Sequence, residues 1–257
     1  MNNSHFCYWC GAPANSREHI PPRCFFPNKI TQEGMIKKQE YSHLLTVPSC
    51  EEHNNRKSKG DEYLLAHIAP FAPDNLCAQA LFQGNILRAV RRNKDLLKPT
   101  RFDGTAIYFD CNDNMIGFEI EGIARALYFI DNKSLFIGKC YIYNEKYSIN
   151  SKLYLRNSEV AKIIMHESAL WNTDIKGHYP AIFMYQFSPT DHQGCTSLIL
   201  TFYESIRIYV VLADKKHQRE RSCTFSEALQ MGISIGINPL PFIYGNQGYN
   251  YLEVDNE

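Results

Sequence analysis

The chain lacks the features that would place it at once in a membrane, in a secreted disulfide scaffold or on a strongly charged partner. No stretch approaches the roughly eighteen uninterrupted apolar residues of a membrane span. The start, Met1-Asn2-Asn3-Ser4-His5, carries no basic segment with an apolar core behind it, so no secretory leader is expected and the chain is read as cytoplasmic, with no membrane partner. Charge of neither sign dominates. Lys plus Arg and Asp plus Glu number 27 each, so attraction for a polyanion must come from a local patch and not from the surface as a whole. Internal repeats and low-complexity tracts are missing as well. Nine cysteines, an odd number spread through the chain, argue against the dense even-numbered framework of a small secreted domain. They are left as free thiols or metal ligands.

What is present is ordinary globular material, with 44% apolar and 21% charged residues in a chain of 257. Its distribution is uneven. Residues 1–72 are rich in Cys, His, Asn, Pro and charge, with little apolar periodicity, which suits a small unit held by a metal. That composition ends at Ala69-Pro70-Phe71-Ala72-Pro73, so a domain boundary is expected there, with a second domain over 73–257. Asp74 is the expected cap of a helix over Asn75 to Lys98, weakened by Gly84. Beyond it, strands are expected at Ala106–Phe109, Ser134–Tyr143, Ala181–Phe187, Ser197–Tyr203 and Ile206–Leu212, and helices at Glu119–Phe129 and Ser158–Leu170. The fold class is therefore α+β.

Cys7 and Cys10 enclose Tyr-Trp and precede Gly11, a turn in which two thiolates can face one metal. Cys50 and His53 repeat the spacing at the start of an expected helix. Together they form a Cys3His set suited to tetrahedral zinc, closed to substrate and so structural. A redox pair would instead open a helix after a strand in a βαβ setting, which is not seen here. Cys24 is the rival ligand, although its place beside Phe25 and Phe26 suits a packed thiol.

Between the two ligand pairs runs Arg17-Glu18-His19-Ile20-Pro21-Pro22-Arg23, and directly after the second comes Asn54-Asn55-Arg56-Lys57-Ser58. Here the sequence resembles the HNH, or ββα-metal, endonucleases, in which an acid-His pair ends one strand, a second strand returns, and Asn opens the helix as N-x-x-K. The resemblance implies a zinc-stabilised ββα-metal unit over 1–72 that hydrolyses phosphodiester bonds of DNA, in a restriction or anti-phage setting. It implies His19 as the general base, with Glu18 and Asn54 as hard oxygen ligands of a catalytic Mg²⁺ or similar divalent cation. If a helix starts near Glu51, its period puts Asn54, Ser58 and Asp61 on one face, making Asp61 the expected third ligand, with Glu62 and His67 as alternatives.

Arg17, Arg23, Arg56 and Lys57 are the expected nucleic-acid contacts within a segment that Lys29, Lys37, Lys38 and Lys59 make net positive. Arg88, Arg91, Arg92, Lys94, Lys98 and Arg101 form a second basic stretch, equally readable as a solvated helix face. DNA is the expected partner, with RNA open, and the C-terminal domain is a candidate for targeting, dimerisation or binding a partner protein. A zinc module that binds nucleic acid or protein without cutting is the alternative function.

Overall fold

Two short strands and a helix carry most of the residues singled out above. The computed structural model describes residues 5–102, 107–109, 111–144, 161–191 and 194–214. Strand β1 (Ser16–His19) pairs antiparallel with β4 (Thr46–Ser49), bringing Glu18 opposite Val47 and His19 opposite Thr46. Between them, β2 (Lys29–Gln32) and β3 (Met35–Lys38) form a separate two-stranded ribbon. Helix α1 (Glu51–Ile68) follows β4 directly. Its first turn bears Glu51 and Glu52, whose charges complement the positive end of the helix dipole, and its last turns bury Leu64, Leu65, Ala66 and Ile68.

The Pro-rich joint does not behave as a linker. Ala69–Phe71 continues α1 as a 3₁₀ turn, and both Ala69 and Ala72 are buried. The helical run after it is capped by Asn75 and not by Asp74: the Asn75 side chain accepts from the N–H groups of Cys77 and Ala78, while its amide donates to the Ala181 carbonyl and to Glu204. One continuous helix was expected here. Instead α2 (Leu76–Leu81) and α3 (Leu87–Arg92) are joined by a π-helical turn over Phe82–Ile86, which contains Gly84, and a 3₁₀ turn over Lys94–Leu97 follows.

Strands β5 (Pro99–Phe102) and β6 (Ile107–Phe109) pair with each other; the expected start at Ala106 lies outside the described residues. Helix α4 (Asp113–Asn132) is longer than the expected Glu119–Phe129. Asn112 caps it by accepting from the Met115 N–H, and Lys133 ends it in the left-handed region. The strands β7 (Gly138–Asn144), β8 (Lys176–Tyr179), β9 (Phe183–Phe187), β10 (Cys195–Phe202) and β11 (Ile206–Asp214) form a sheet in the order β7-β11-β10-β9-β8. A helix over 161–168 occupies part of the segment expected from Ser158, whose first residues lie outside the described ones. The mixed helix-and-sheet class expected from sequence is present.

The chain divides into two compact units, and not at residue 72. The first comprises Met1–Leu135, Gly177–Met184 and Phe202–Ile206, the second Phe136–Lys176, Tyr185–Thr201 and Arg207–Glu257. In the first, α4 packs along α1, with Ile116, Ile120, Ile123 and Leu127 buried. The composition change near residue 72 therefore marks a change in what stabilises the chain, not an edge of its core. In the second, Tyr143, Ala161, Ile164, Tyr209 and Val211 form an apolar cluster between sheet and helix. Among the described residues, no helix is long and apolar enough to cross a membrane.

Candidate metal centre and the surfaces around it

The first pair of cysteines lies in a tight loop. Cys7 N–H donates to the Ala12 carbonyl at 2.7 Å and Gly11 N–H to the Cys7 carbonyl at 2.9 Å, with Gly11 at φ +75°, where a Cβ would be strained and would meet the Leu135 side chain at 3.0 Å. The second pair is set by α1: Cys50 precedes its first turn, and its carbonyl accepts from Asn54 N–H at 3.0 Å. The loop is held to the strand pair by Tyr8 N–H, which donates to the Pro48 carbonyl at 2.9 Å.

These two local geometries bring the ligand atoms of Cys7, Cys10, Cys50 and His53 within 4.8 Å of one another. Separations are 3.9 Å for Cys7 Sγ to His53 Nδ1, 3.9 Å for Cys10 Sγ to Cys50 Sγ and 3.1 Å for Cys50 Sγ to His53 Nδ1. With metal–sulfur bonds of about 2.3 Å, the edge of a tetrahedron is about 3.8 Å, a spacing that the two separations of 3.9 Å match. The cluster can hold a zinc-like metal ion. Burial alone would raise the Cys7 thiol, but hydrogen bonds from His53 and from nearby backbone bring it down to about 6. His53 is in turn pushed up to about 9, chiefly by its bond to Cys7. Cys24 stands apart: its thiol donates to the Asp61 carbonyl at 3.6 Å, and burial raises it well above the ordinary thiol value.

The ring of Trp9 stacks on His53 at 5.0 Å and on Phe118 of α4 at 4.8 Å, and the Arg125 guanidinium lies 5.6 Å from its centre. Helix α4 thus packs against a metal ligand, a contribution from beyond residue 72 that composition did not suggest.

Glu18 points away from any site shared with His19. Successive residues of a strand face opposite ways, and in β1 Arg17 is exposed, Glu18 buried and His19 half-buried. The Glu18 carboxylate accepts from Tyr8 Oη at 3.0 Å and pairs with Lys57 Nζ at 2.6 Å. Lys57 also faces Glu119 of α4 at 3.6 Å, with 1% of each side chain exposed. This corrects two expectations: Lys57 offers no free ammonium to a phosphate, and both Glu18 oxygens are already engaged.

Asp61 belongs to the same buried group. Burial raises its carboxyl, countered by the Lys57 charge and a hydrogen bond with Glu119. Glu119 itself is pushed up to about 9, first by burial and then, against the pull of Lys57, by the charge and bond of Asp61 and the charge of Glu18. Gly60 and Gly122 make this packing feasible, since a Cβ at Gly60 would overlap the Glu119 carboxylate and one at Gly122 would crowd Lys57 and Trp9 at 2.9 Å. The Ser58 side chain, expected on the same face, lies outside the described set.

The alternative third ligands also fall elsewhere. Glu62 pairs with Arg92 at 3.6 Å on the surface. His67 is buried, with Nδ1 2.9 Å from the Tyr63 carbonyl, and lies about 20 Å along α1 from Asn54 at the usual helical rise. Asn54 is half-buried on the first turns of α1. Of the hard-oxygen set expected for a catalytic Mg²⁺, Glu18 and Asp61 are thus engaged by Lys57 and its neighbours.

His19 is half-buried at the end of β1. Burial and the cations of Arg23 and Arg17 hold its pKa below the ordinary imidazole value, against a smaller opposing pull from Glu18, so the ring is neutral at neutral pH. Arg17 is exposed and donates to Thr46; Arg23 is exposed and donates to the Phe26 carbonyl and to Asn28, with its guanidinium 5.5 Å from the centre of the Tyr41 ring. Arg56, also exposed, sits 4.2 Å from the centre of the Phe118 ring. On the second basic stretch Arg88, Arg91, Arg92, Lys94 and Lys98 are exposed, while the Arg101 and Lys59 side chains lie outside the described set.

Tyr8, Trp9 and Glu119 escaped sequence reasoning. A faint signal existed for Glu119, an acid set in the apolar run Ile116 to Leu127, where a charge facing the core needs a partner. Comparison of the chain with protein-family models, with curated proteins and with solved structures finds no match.

Proposed function

We propose that this protein is a nuclease of the HNH type, cutting phosphodiester bonds of DNA, with zinc at Cys7, Cys10, Cys50 and His53 as a structural ion. The observation that carries this reading is the Cys3His cluster joining a knuckle and a helix on either side of the antiparallel pair β1 and β4, with half-buried His19 at the end of β1. A closed tetrahedral set leaves no position for substrate, which suits an ion that braces the fold.

His19 acts as the base. Its neutral imidazole can take a proton from the attacking water, and a positioned base contributes on the order of 10²–10⁴-fold in rate. Arg17 and Arg23 flank it and supply positive charge toward the scissile phosphate. The family resemblance also implies a divalent cation, but Glu18 and Asp61 are turned into the Lys57 cluster and only Asn54 remains of its expected ligands.

That same turning inward favours a second reading, a zinc module that binds nucleic acid without cutting it. Nicking of supercoiled plasmid by zinc-loaded protein, with Mg²⁺ or Mn²⁺ added or withheld and with His19→Ala in parallel, separates the two. The nuclease reading expects nicking that His19→Ala abolishes. Binding without nicking under every ionic condition would establish the second.

A further inference from the structure

The ribbon β2–β3 is stabilised in a way that leaves its outer surface unexplained by folding alone. Its register pairs Lys29 with Lys38, Ile30 with Lys37, Thr31 with Ile36 and Gln32 with Met35. The turn is the two residues Glu33 and Gly34, at φ +52° and +75°, the left-handed pair that matches the twist of a tight hairpin. Alternation then sorts the side chains: Ile30 and Gln32 are half-buried on the face of β2 turned to the body of the unit, while Lys29, Thr31, Ile36 and Lys38 share the opposite, exposed face.

Two features of that outer face oppose stability. Lys29 and Lys38 lie directly across from each other, a like-charge pair that weakens a ribbon. Toward the tip, Ile36 is 72% exposed, while Met35, 56% exposed, lies on the other face with Gln32. A basic foot and an apolar tip on a narrow two-stranded ribbon complement a groove walled by phosphates, and the major groove of a DNA duplex admits an element of this width. The acids of the segment are few: Glu33 sits in the turn, and Glu40 pairs with Lys38 at 3.2 Å on the exposed surface. At its foot the ribbon is tied to the His19 segment, because Arg23 donates to Asn28 at 3.2 Å and Gln39 N–H donates to the Asn28 carbonyl at 2.8 Å.

We infer that the β2–β3 ribbon is a DNA-docking element, with Lys29 and Lys38 on backbone phosphates and Ile36 entering a groove of the duplex. The inference rests on the nucleic-acid part of the proposed function and not on cleavage.

The test is fluorescence anisotropy with the full zinc-loaded chain and a labelled duplex of mixed sequence, no other divalent cation being added, titrated across salt. Lys29→Gln/Lys38→Gln should bind about tenfold more weakly, and the slope of log affinity against log salt should flatten by roughly 1.8, the release expected for two phosphate contacts. Ile36→Ser should weaken binding about threefold with the slope unchanged, since it removes apolar contact and no charge. Zinc content and circular dichroism, unchanged in both variants, exclude misfolding as the cause. Wild-type protein that binds duplex here and nicks plasmid in the separate assay with Mg²⁺ or Mn²⁺, while both variants bind as tightly as it does, overturns the ribbon and leaves the nuclease reading standing. Ribbon-dependent binding without nicking does the reverse. Loss of binding confined to an RNA hairpin, or no binding of duplex by the wild type, also overturns it.

Discussion

Lys57 Nζ lies 2.6 Å from Glu18 Oε1, and the two side chains are 1% and 6% exposed. Withdrawing both charges from water is costly, and the pairing is sustained because Tyr8 donates to the second Glu18 oxygen and Glu119 faces the same ammonium. The pair fixes β1 to α1 and thereby sets His19 relative to the first turns of the helix.

Removing one partner of that pair should be far worse than removing both. Lys57→Met leaves buried Glu18 uncompensated and should lower stability by about 3–5 kcal/mol, whereas Lys57→Met/Glu18→Gln should recover a large part of it. Urea unfolding of the zinc-loaded single and double variants measures the difference. A double variant as unstable as the sum of the two single ones would show that the pair is not coupled.

The ligand set predicts a selective response among cysteines. Cys50→Ser should lose zinc and unfold the first unit at temperatures the wild type survives, because the ion closes two segments far apart in sequence. Cys24→Ala should keep full zinc, since its thiol bonds only to the Asp61 carbonyl among its described contacts. Metal content by atomic emission together with melting temperature checks both.

His19→Ala should reduce nicking by roughly 10²–10⁴-fold while duplex affinity stays within about twofold. A base works only when neutral, and His19 is held below the usual imidazole value, so the acid limb of the activity profile should lie below a pH of about 6.5. Arg23→Gln removes a repelling cation and should move that limb toward higher pH. A profile unchanged by Arg23→Gln would argue that His19 is not the titrating base.

The contribution of Glu119 to stability should fall as pH rises between about 5 and 9. Glu119 is raised to about 9 in the fold, so over that window the native state keeps a proton that the unfolded chain has released, and stability is lost as that proton must be given up. Glu119→Gln imitates the protonated acid and should flatten the decline. Urea midpoints at several pH values test this, and an undiminished slope in the variant would assign the proton elsewhere.

The metal cluster was legible in the chain because each half is a local structure: a C-x-x-C loop closed by Gly11 and a C-x-x-H at a helix start orient their ligands whatever surrounds them. The partial alternation of β10 and the apolar stripe of α4 were legible for the same reason, since periods of two and 3.6 residues are set by the backbone, while β11 showed as a short apolar run. The parity of β1 was fixed too, separating Glu18 from His19, but which of them faces the core was not.

Tertiary structure made that choice. Helix α4, entering from a part of the sequence assigned to another domain, brought Glu119 to Lys57 and Phe118 to Trp9. Once a buried lysine was present, Glu18 and Asp61 were drawn to it, because a desolvated ammonium is tolerated only among carboxylates that compensate it. Residue order alone thus fixed the kinds of group available near His19, while the packing of a distant helix decided which of them remained turned toward solvent, where a substrate could meet them.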